Sequence, residues 1–141
     1  MKEFGLQIYS VRDRFTNVED TRAALKELKE MGYSHIQTAG LYEYVAPEEF
    51  ARMVTDSGLY VCGTHYDYDR IINDVSGTAS YHAALGTKNI GIGGMPREMR
   101  TSERATLDFI ESFNSAAKKY KKLGYEIIYE ESRIVTVLKK P

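Results

Sequence analysis

A histidine with polar neighbours stands at the end of one short apolar segment. His65 follows the segment 60–64 and precedes Tyr66 and Asp67. An imidazole can donate, accept or exchange a proton near neutral pH. His65 is therefore a candidate for a ligand pocket, and a structural role at the end of a strand is the alternative.

Two glutamines lie in two earlier segments of the same kind. Gln7 falls within residues 5–9 and Gln37 within residues 34–38. A side-chain amide both donates and accepts hydrogen bonds. Gln7 and Gln37 can therefore bind the hydroxyl groups of a ligand, or they can equally fill the interior of the protein, and the sequence leaves both alternatives open.

A repeated stop signal indicates the elements that position these side chains. Four amphipathic segments each end at a glycine, and a short β-like segment follows at once. Glycine is favoured there because the residue that closes a helix takes a left-handed conformation. The glycines are Gly32, Gly58, Gly86 and Gly124, and the segments after them are 34–38, 60–64, 88–92 and 126–130. Since parallel strands need long crossovers, which helices supply, the alternation predicts parallel βαβ units.

The helices are predicted from their first residues and their apolar stripes. The first runs from the N-cap Asn17 to Met31, and the second has Pro47 in its first turn. The third begins at Asp74, and the fourth runs from Ser102 to Leu123. The stripes are Val18, Leu25, Leu28 and Met31 on the first helix, and Phe109, Ile110, Phe113, Ala117 and Tyr120 on the fourth. Each stripe requires a sheet to pack on.

Alternation within the strands predicts which side chains share a face. We expect His65 to share a face with Val61 and Gly63, Gln7 with Gly5 and Tyr9, Gln37 with His35 and Ala39, and Glu130 with Glu126 and Ile128. One face is then apolar in most strands, and the other is polar or small. This pattern suits helices outside the sheet and a site inside it.

Composition excludes several classes of function. The chain has 141 residues, of which 43% are hydrophobic and 28% charged, with a formal net charge of -1. This predicts one domain (residues 1–141), a cytoplasmic location and no partnership with nucleic acid or membrane. The basic cluster Lys118, Lys119, Lys121 and Lys122 is expected to be a solvated helix face. The lone Cys62 is expected to be a buried thiol.

Five segments, in order, resemble one family. They are residues 5–12 (GLQIYSVR), 39–42 (AGLY), 63–65 (GTH), 81–86 (YHAALG) and 90–96 (IGIGGMP). Over residues 4–131 the chain is similar to the N-terminal half of the xylose isomerase-like TIM barrels, the sugar phosphate isomerases and epimerases. The resemblance implies an α/β fold class, here a partial TIM barrel of about four βα units, a fifth strand and a short strand-like tail. In this fold the site lies at the carboxyl ends of the strands.

The resemblance also implies a chemistry. Such enzymes use a divalent metal, Mn²⁺, Mg²⁺, Zn²⁺ or Co²⁺, to polarise substrate oxygens while carboxylates move a proton on carbon. Glu130 falls at the strand-five ligand position and is expected to act as metal ligand and proton-transfer carboxylate. Gln7, Tyr9, Gln37 and His65 are expected to bind a sugar or polyol. By contrast, Arg12, His35 and His82 are expected to be structural, and Gly91 and Gly93 to leave room in the interior.

The resemblance ends after residue 131, and residues 132–141 form a divergent tail. We expect this tail to pair antiparallel with strand five through residues 134–138. The missing later strands predict a truncated isomerase or epimerase that is inactive alone, without a stably bound metal, because one carboxylate does not define a cation site. The alternative is a non-catalytic half barrel that binds a small polyol or forms a homodimer through its open edges.

Overall fold

The first three strands form one parallel sheet. The computed structural model describes residues 4–40, 44–130 and 135–139, with the backbone alone described for 127–130 and 135–139. The strands β1 (Gly5–Gln7), β2 (His35–Ala39) and β3 (Tyr60–His65) are hydrogen-bonded in that order, and Gln7 pairs with Gln37. The α/β class, with parallel strands separated by helices, is confirmed.

Helices connect the strands largely where the sequence predicts them. They are α1 (Val18–Glu30), α2 (Pro47–Asp56), α3 (Tyr68–Asn73), α4 (Val75–Ala84) and α5 (Glu103–Lys122). The side chains of Asn17, Asp74 and Ser102 each accept a backbone N–H at the start of α1, α4 and α5. The four stop glycines have φ values between 71° and 95°. Among the residues that the structure describes, no helix combines the length and apolar character needed to span a bilayer.

Three helical segments were not predicted, and one of them is the short 3-10 helix Arg97–Arg100. A 3-10 helix, Ile8–Arg14, follows β1 directly, so Ile8 and Tyr9 do not continue the strand as expected. Ile8 is 1% exposed and Tyr9 is 54% exposed, so the Ile8 side chain faces the interior and the Tyr9 side chain faces the solvent. Another unpredicted segment is α3, six residues long, which begins at the N-cap Asp67.

The last three strands form a second, antiparallel sheet. The strand β4 (Asn89–Ile90) continues the parallel layer, because the Tyr66 N–H donates to the Gly91 carbonyl at 2.8 Å and Tyr66 bridges Ile92. The strand β6 (Val135–Lys139) lies antiparallel between β4 and β5 (Glu126–Glu130). The predicted antiparallel pairing of the tail with strand five is confirmed for residues 135–138, and Ile134 lies outside the described residues. The pairing with β4 was not predicted.

Two apolar clusters lie beneath the sheets. The first joins α1 and α2 to β2 through Leu25, Ile36, Phe50 and Met53, and the second joins α5 to Tyr66, Ile71 and Ile90. Two expected core residues are exposed instead, Met31 at 71% and Ile110 at 45%. Met31 is past the end of α1, and Ile110 is rotated about 100° from Phe109 around α5. The lysines 118, 119, 121 and 122 are exposed, as expected.

Candidate functional site

The carboxyl ends of β1, β2 and β3 and the loop after β4 surround an open cavity of about 820 Å³. Its lining includes Gln7, Tyr9, His65, Asp67, Arg70 and Gly93. Three of the four residues expected to bind a substrate therefore line one cavity. The fourth, Gln37, does not line it but touches a residue that does.

A hydrogen-bonded array joins three of the expected site residues. The Gln7 Nε2 donates to Gln37 Oε1 at 2.9 Å and lies 3.0 Å from His65 Nδ1 and 3.3 Å from His65 Nε2. Gln7 and Gln37 are side by side because they are register partners of parallel strands. Among the described residues, Gln7 Oε1 has no protein partner, so it is left to accept a hydrogen bond from a ligand.

The surroundings of the His65 ring favour its neutral form. The amide nitrogen of Gln7 can only donate, so its contact with His65 requires a lone pair on the imidazole, which the protonated ring lacks. Burial acts in the same direction, because desolvation lowers the pKa of His65 below its ordinary value. A neutral ring keeps one N–H with which to bind a ligand oxygen.

A β-bulge aims His65 at the cavity. Ile36 pairs with Val61 but Gln37 pairs with Gly63, so Cys62 is an extra residue in β3. The bulge reverses the alternation, and His65 joins Gln37 and Ala39 on one face while Val61 packs in the first apolar cluster. The prediction that Val61 shares a face with His65 is therefore wrong. The prediction of a buried Cys62 is also wrong, because the bulge leaves it exposed, although desolvation still raises its pKa.

Glycines after β4 make room for β3 and its histidine. A Cβ on Gly91 would lie 2.8 Å from the Thr64 carbonyl oxygen, and a Cβ on Gly93 would lie 3.2 Å from His65 Nδ1. Both glycines therefore leave space in the interior, as expected.

Tyr9 forms part of the cavity mouth from the 3-10 helix. The Arg12 guanidinium lies 4.3 Å from the centre of the Tyr9 ring, and its Nη1 donates to the Tyr9 carbonyl at 2.9 Å. This combination of cation–π contact and hydrogen bond holds the turn. Arg12 is thus structural, as predicted, and it acts on a residue of the cavity.

Two cavity residues were missed as site candidates. Asp67 caps α3 by accepting the Arg70 N–H at 2.9 Å, and Arg70 is exposed at the cavity. The available signal was the spacing of Asp67 and Arg70, which is that of an N-cap and its third helical residue. Six residues are too few to add the helical periodicity that would mark the segment as a helix.

The other two histidines have protein partners, as predicted. His82 is fully buried, with Nε2 2.6 Å from Thr64 Oγ1 and Nδ1 2.7 Å from the Thr78 carbonyl oxygen. Burial lowers the pKa of His82 from 6.5 to about 4. His35 lies at the opposite end of β2 from the cavity, with Nδ1 2.8 Å from Ser34 Oγ.

The described residues form no cluster of metal-binding side chains. Within residues 4–40, 44–130 and 135–139 as the structure describes them, no three histidine, cysteine, aspartate or glutamate side chains lie close enough to share one. The expected ligand, Glu130, is the last residue of β5, and its side chain lies outside the described part. Because β6 lies between β4 and β5, the backbone of Glu130 is two strands away from β4.

The fold and the cavity together define a partial TIM barrel with a polar site at the carboxyl ends of its parallel strands. The chain is similar to two crystal structures of a sugar phosphate isomerase/epimerase from Parabacteroides distasonis ATCC 8503. The first is 23% identical with a TM-score of 0.71 and is matched over 87% of this chain and 49% of its own. The second is 22% identical with a TM-score of 0.69 and is matched over 95% of this chain and 60% of its own.

These structures confirm the fold predicted from the resemblance. The chain spans about half to three fifths of the length of the structures it matches. No family model matches the chain, and no curated protein does.

Proposed function

We propose that the cavity at the ends of β1, β2 and β3 binds a sugar or polyol, and that this chain contributes the substrate side of an isomerase or epimerase site. The observation that carries the proposal is the array of Gln7, Gln37 and His65, two of whose members line the cavity. The similarity to structures called sugar phosphate isomerase/epimerase supports it.

The array offers hydrogen bonds suited to a polyhydroxylated ligand. The neutral His65 ring donates to a substrate oxygen, and Gln7 Oε1 accepts from a hydroxyl group. Gln37 holds the Gln7 amide in place through the 2.9 Å hydrogen bond. Because these groups are fixed by the sheet before the ligand arrives, little conformational entropy is lost on binding.

The proton transfer of an isomerisation requires a base. Glu130, at the end of β5, is proposed for this step and as a ligand of the divalent metal, both from the sequence resemblance. The metal would polarise the oxygens of the substrate when bound. The described residues carry only the binding and orienting roles of the mechanism.

A second candidate function is binding without catalysis. Asp67 is the one carboxylate among the described residues that line the cavity. Its Oδ1 already accepts a hydrogen bond from the Arg70 N–H at 2.9 Å. A carboxylate used as a helix cap is poorly placed to take a proton from carbon. This observation favours a polyol-binding half barrel as the alternative.

A sugar titration followed by NMR tests both functions. We expect fructose at millimolar concentration to shift the side-chain signals of Gln7 and His65 and to leave those of His35, at the other end of the sheet, unchanged. His65→Ala should abolish the response, whereas His35→Ala should retain it. Unchanged Gln7 and His65 signals with every sugar tried would overturn the proposal.

Solvent deuterium separates the two functions. With Mn²⁺ or Mg²⁺ added in D₂O, an isomerase or epimerase site incorporates deuterium at a sugar carbon, because a proton is removed and returned. Binding with no incorporation supports the non-catalytic alternative. Incorporation that is lost in Glu130→Gln supports the catalytic role of that residue.

A further inference from the structure

One cation at the cavity has no role in the array. Arg70 lines the cavity and is exposed, and among the described residues its guanidinium has no hydrogen bond or ion pair. Several other arginines have protein partners, among them Arg12 with Tyr9, Arg14 with Glu27 at 2.9 Å, and Arg104 with Asp108 at 2.8 Å. The charge of Arg70 is therefore left for something that enters the cavity.

The backbone that carries Arg70 is fixed on both sides. Its N–H donates to Asp67 Oδ1 at 2.9 Å, and its carbonyl oxygen accepts from the Asp74 N–H at 2.9 Å and from Thr78 Oγ1 at 3.1 Å. Thr78 is 1% exposed and belongs to α4, so α3 is tied to the buried part of the protein. The side chain starts from a fixed point, although α3 has only six residues.

The chemistry of a guanidinium specifies the kind of group it binds. Its planar fork of N–H donors matches the oxygens of a phosphate or a carboxylate, and the charge strengthens each hydrogen bond. Asp67 and Gln7 line the same cavity, and their side-chain oxygens can accept hydrogen bonds from hydroxyl groups. The combination fits a molecule that carries several hydroxyl groups and one anionic group.

We propose that Arg70 binds the anionic group of the ligand, so that the cavity selects a sugar with a phosphate or carboxylate over a neutral sugar. This inference rests on the proposed function, because it concerns the same cavity. It adds to that function a residue that determines specificity, Arg70. It also places the anionic group of the ligand at the end of the cavity formed by α3.

Calorimetric titration of the chain with three probes tests this inference. Fructose 6-phosphate carries a phosphate, gluconate carries a carboxylate, and fructose is neutral. We expect at least one anionic probe to bind about ten- to hundredfold more tightly than fructose, as a charge-assisted hydrogen-bonded pair provides. The probe that shows the gain identifies the anionic group.

Variants then assign the gain to Arg70. Arg70→Gln should remove the preference and leave the affinity for fructose unchanged, whereas Arg70→Lys should retain part of it because the charge remains without the fork. Arg52→Gln is the matched control because it removes the same charge outside the cavity. Arg52 is exposed on α2. The preference should also weaken in high salt.

The outcomes distinguish this inference from the proposed function. If fructose binds at Gln7 and His65 but no anionic probe binds more tightly, the role of Arg70 is overturned and the proposed function stands. An equal loss in Arg52→Gln also overturns it, because the effect is then one of net charge. If no probe binds, the proposed function fails and this inference fails with it.

Discussion

The two faces of β3 hold their histidines in opposite ways. On the helix side, Thr64 meets His82, and both ring nitrogens of His82 have protein partners at 2.6 and 2.7 Å. On the cavity side, His65 is half-buried and meets Gln7, whose Oε1 is left for a ligand. On the helix side the polar groups form hydrogen bonds within the protein, whereas on the cavity side some of them remain available to a ligand. The contrast shows how neighbouring residues of one strand can serve stability and function separately.

The largest effect expected from this contrast is a pH dependence of stability due to His82. Its pKa is about 4 in the folded protein against an ordinary 6.5, so the unfolded chain binds the proton more readily. The stabilisation is then fully present above pH 6.5 and is lost as the pH falls towards 4. We expect the free energy of unfolding to drop by about 3 kcal/mol across this range from His82 alone, measured by urea denaturation.

Two variants isolate the contribution of each histidine. His82→Gln can make similar hydrogen bonds but does not titrate, so it should lose this part of the pH dependence. His65→Gln should lose a smaller part, because His65 is only half-buried. Parallel pH profiles for the unchanged chain and His82→Gln would show that the helix side does not hold its histidine as described.

A second prediction compares the two glycines that follow β4 and pack against β3. In Gly91→Ala the new Cβ meets the Thr64 backbone oxygen at 2.8 Å, whereas in Gly93→Ala it meets the His65 side chain at 3.2 Å. Backbone cannot move without shifting the sheet, but a ring can turn. Gly91→Ala should therefore cost about 2 kcal/mol of unfolding free energy and Gly93→Ala less than about 1 kcal/mol.

Thermal and urea unfolding of the pair provide the comparison. Gly93→Ala should instead weaken sugar binding, since it displaces His65 from its position at the cavity. Equal stability costs for the two variants would contradict the close packing of Gly91 against β3.

Much of the fold follows from local signals in the sequence. Gly32 and Gly124 mark helix ends by their backbone freedom, and Asn17 and Ser102 mark helix starts by a side-chain oxygen, so each can be recognised without knowledge of distant residues. The insertion of β6 depends on pairing with β4, far away in the chain. No local signal encodes such a pairing.

The site is predictable only in part for the same reason. Gln7 and Gln37 could be selected as polar residues on the inward face of their strands and His65 as a polar residue at a strand end, and three strands bring them together. The face of β3 depends on the bulge at Cys62, which appears only when two strands are aligned. Arg70 was missed because its position depends on the hydrogen bonds that fix α3, which join residues 67–78.

The smallest predicted effect concerns the charge state of His65. In Gln7→Glu the amide donor at 3.0 Å becomes a carboxylate, which favours the protonated ring. We expect the pKa of His65, now lowered by burial, to rise by about 1 unit, because a neighbouring carboxylate stabilises the charged ring. The signal of the ring carbon proton followed against pH by NMR measures it directly.

Gln37→Glu is the matched control because it adds the same charge at the neighbouring residue of the array, on β2. Among the described residues Gln37 contacts Gln7 rather than His65, so its carboxylate should raise the pKa of His65 by less. The affinity of Gln7→Glu for sugar should then fall at the pH where His65 carries a proton, because the ring no longer has the Gln7 amide as its partner. If both variants raise the pKa of His65 equally, the contact with Gln7 does not determine the charge state of the ring. The effect is then one of added negative charge in the array.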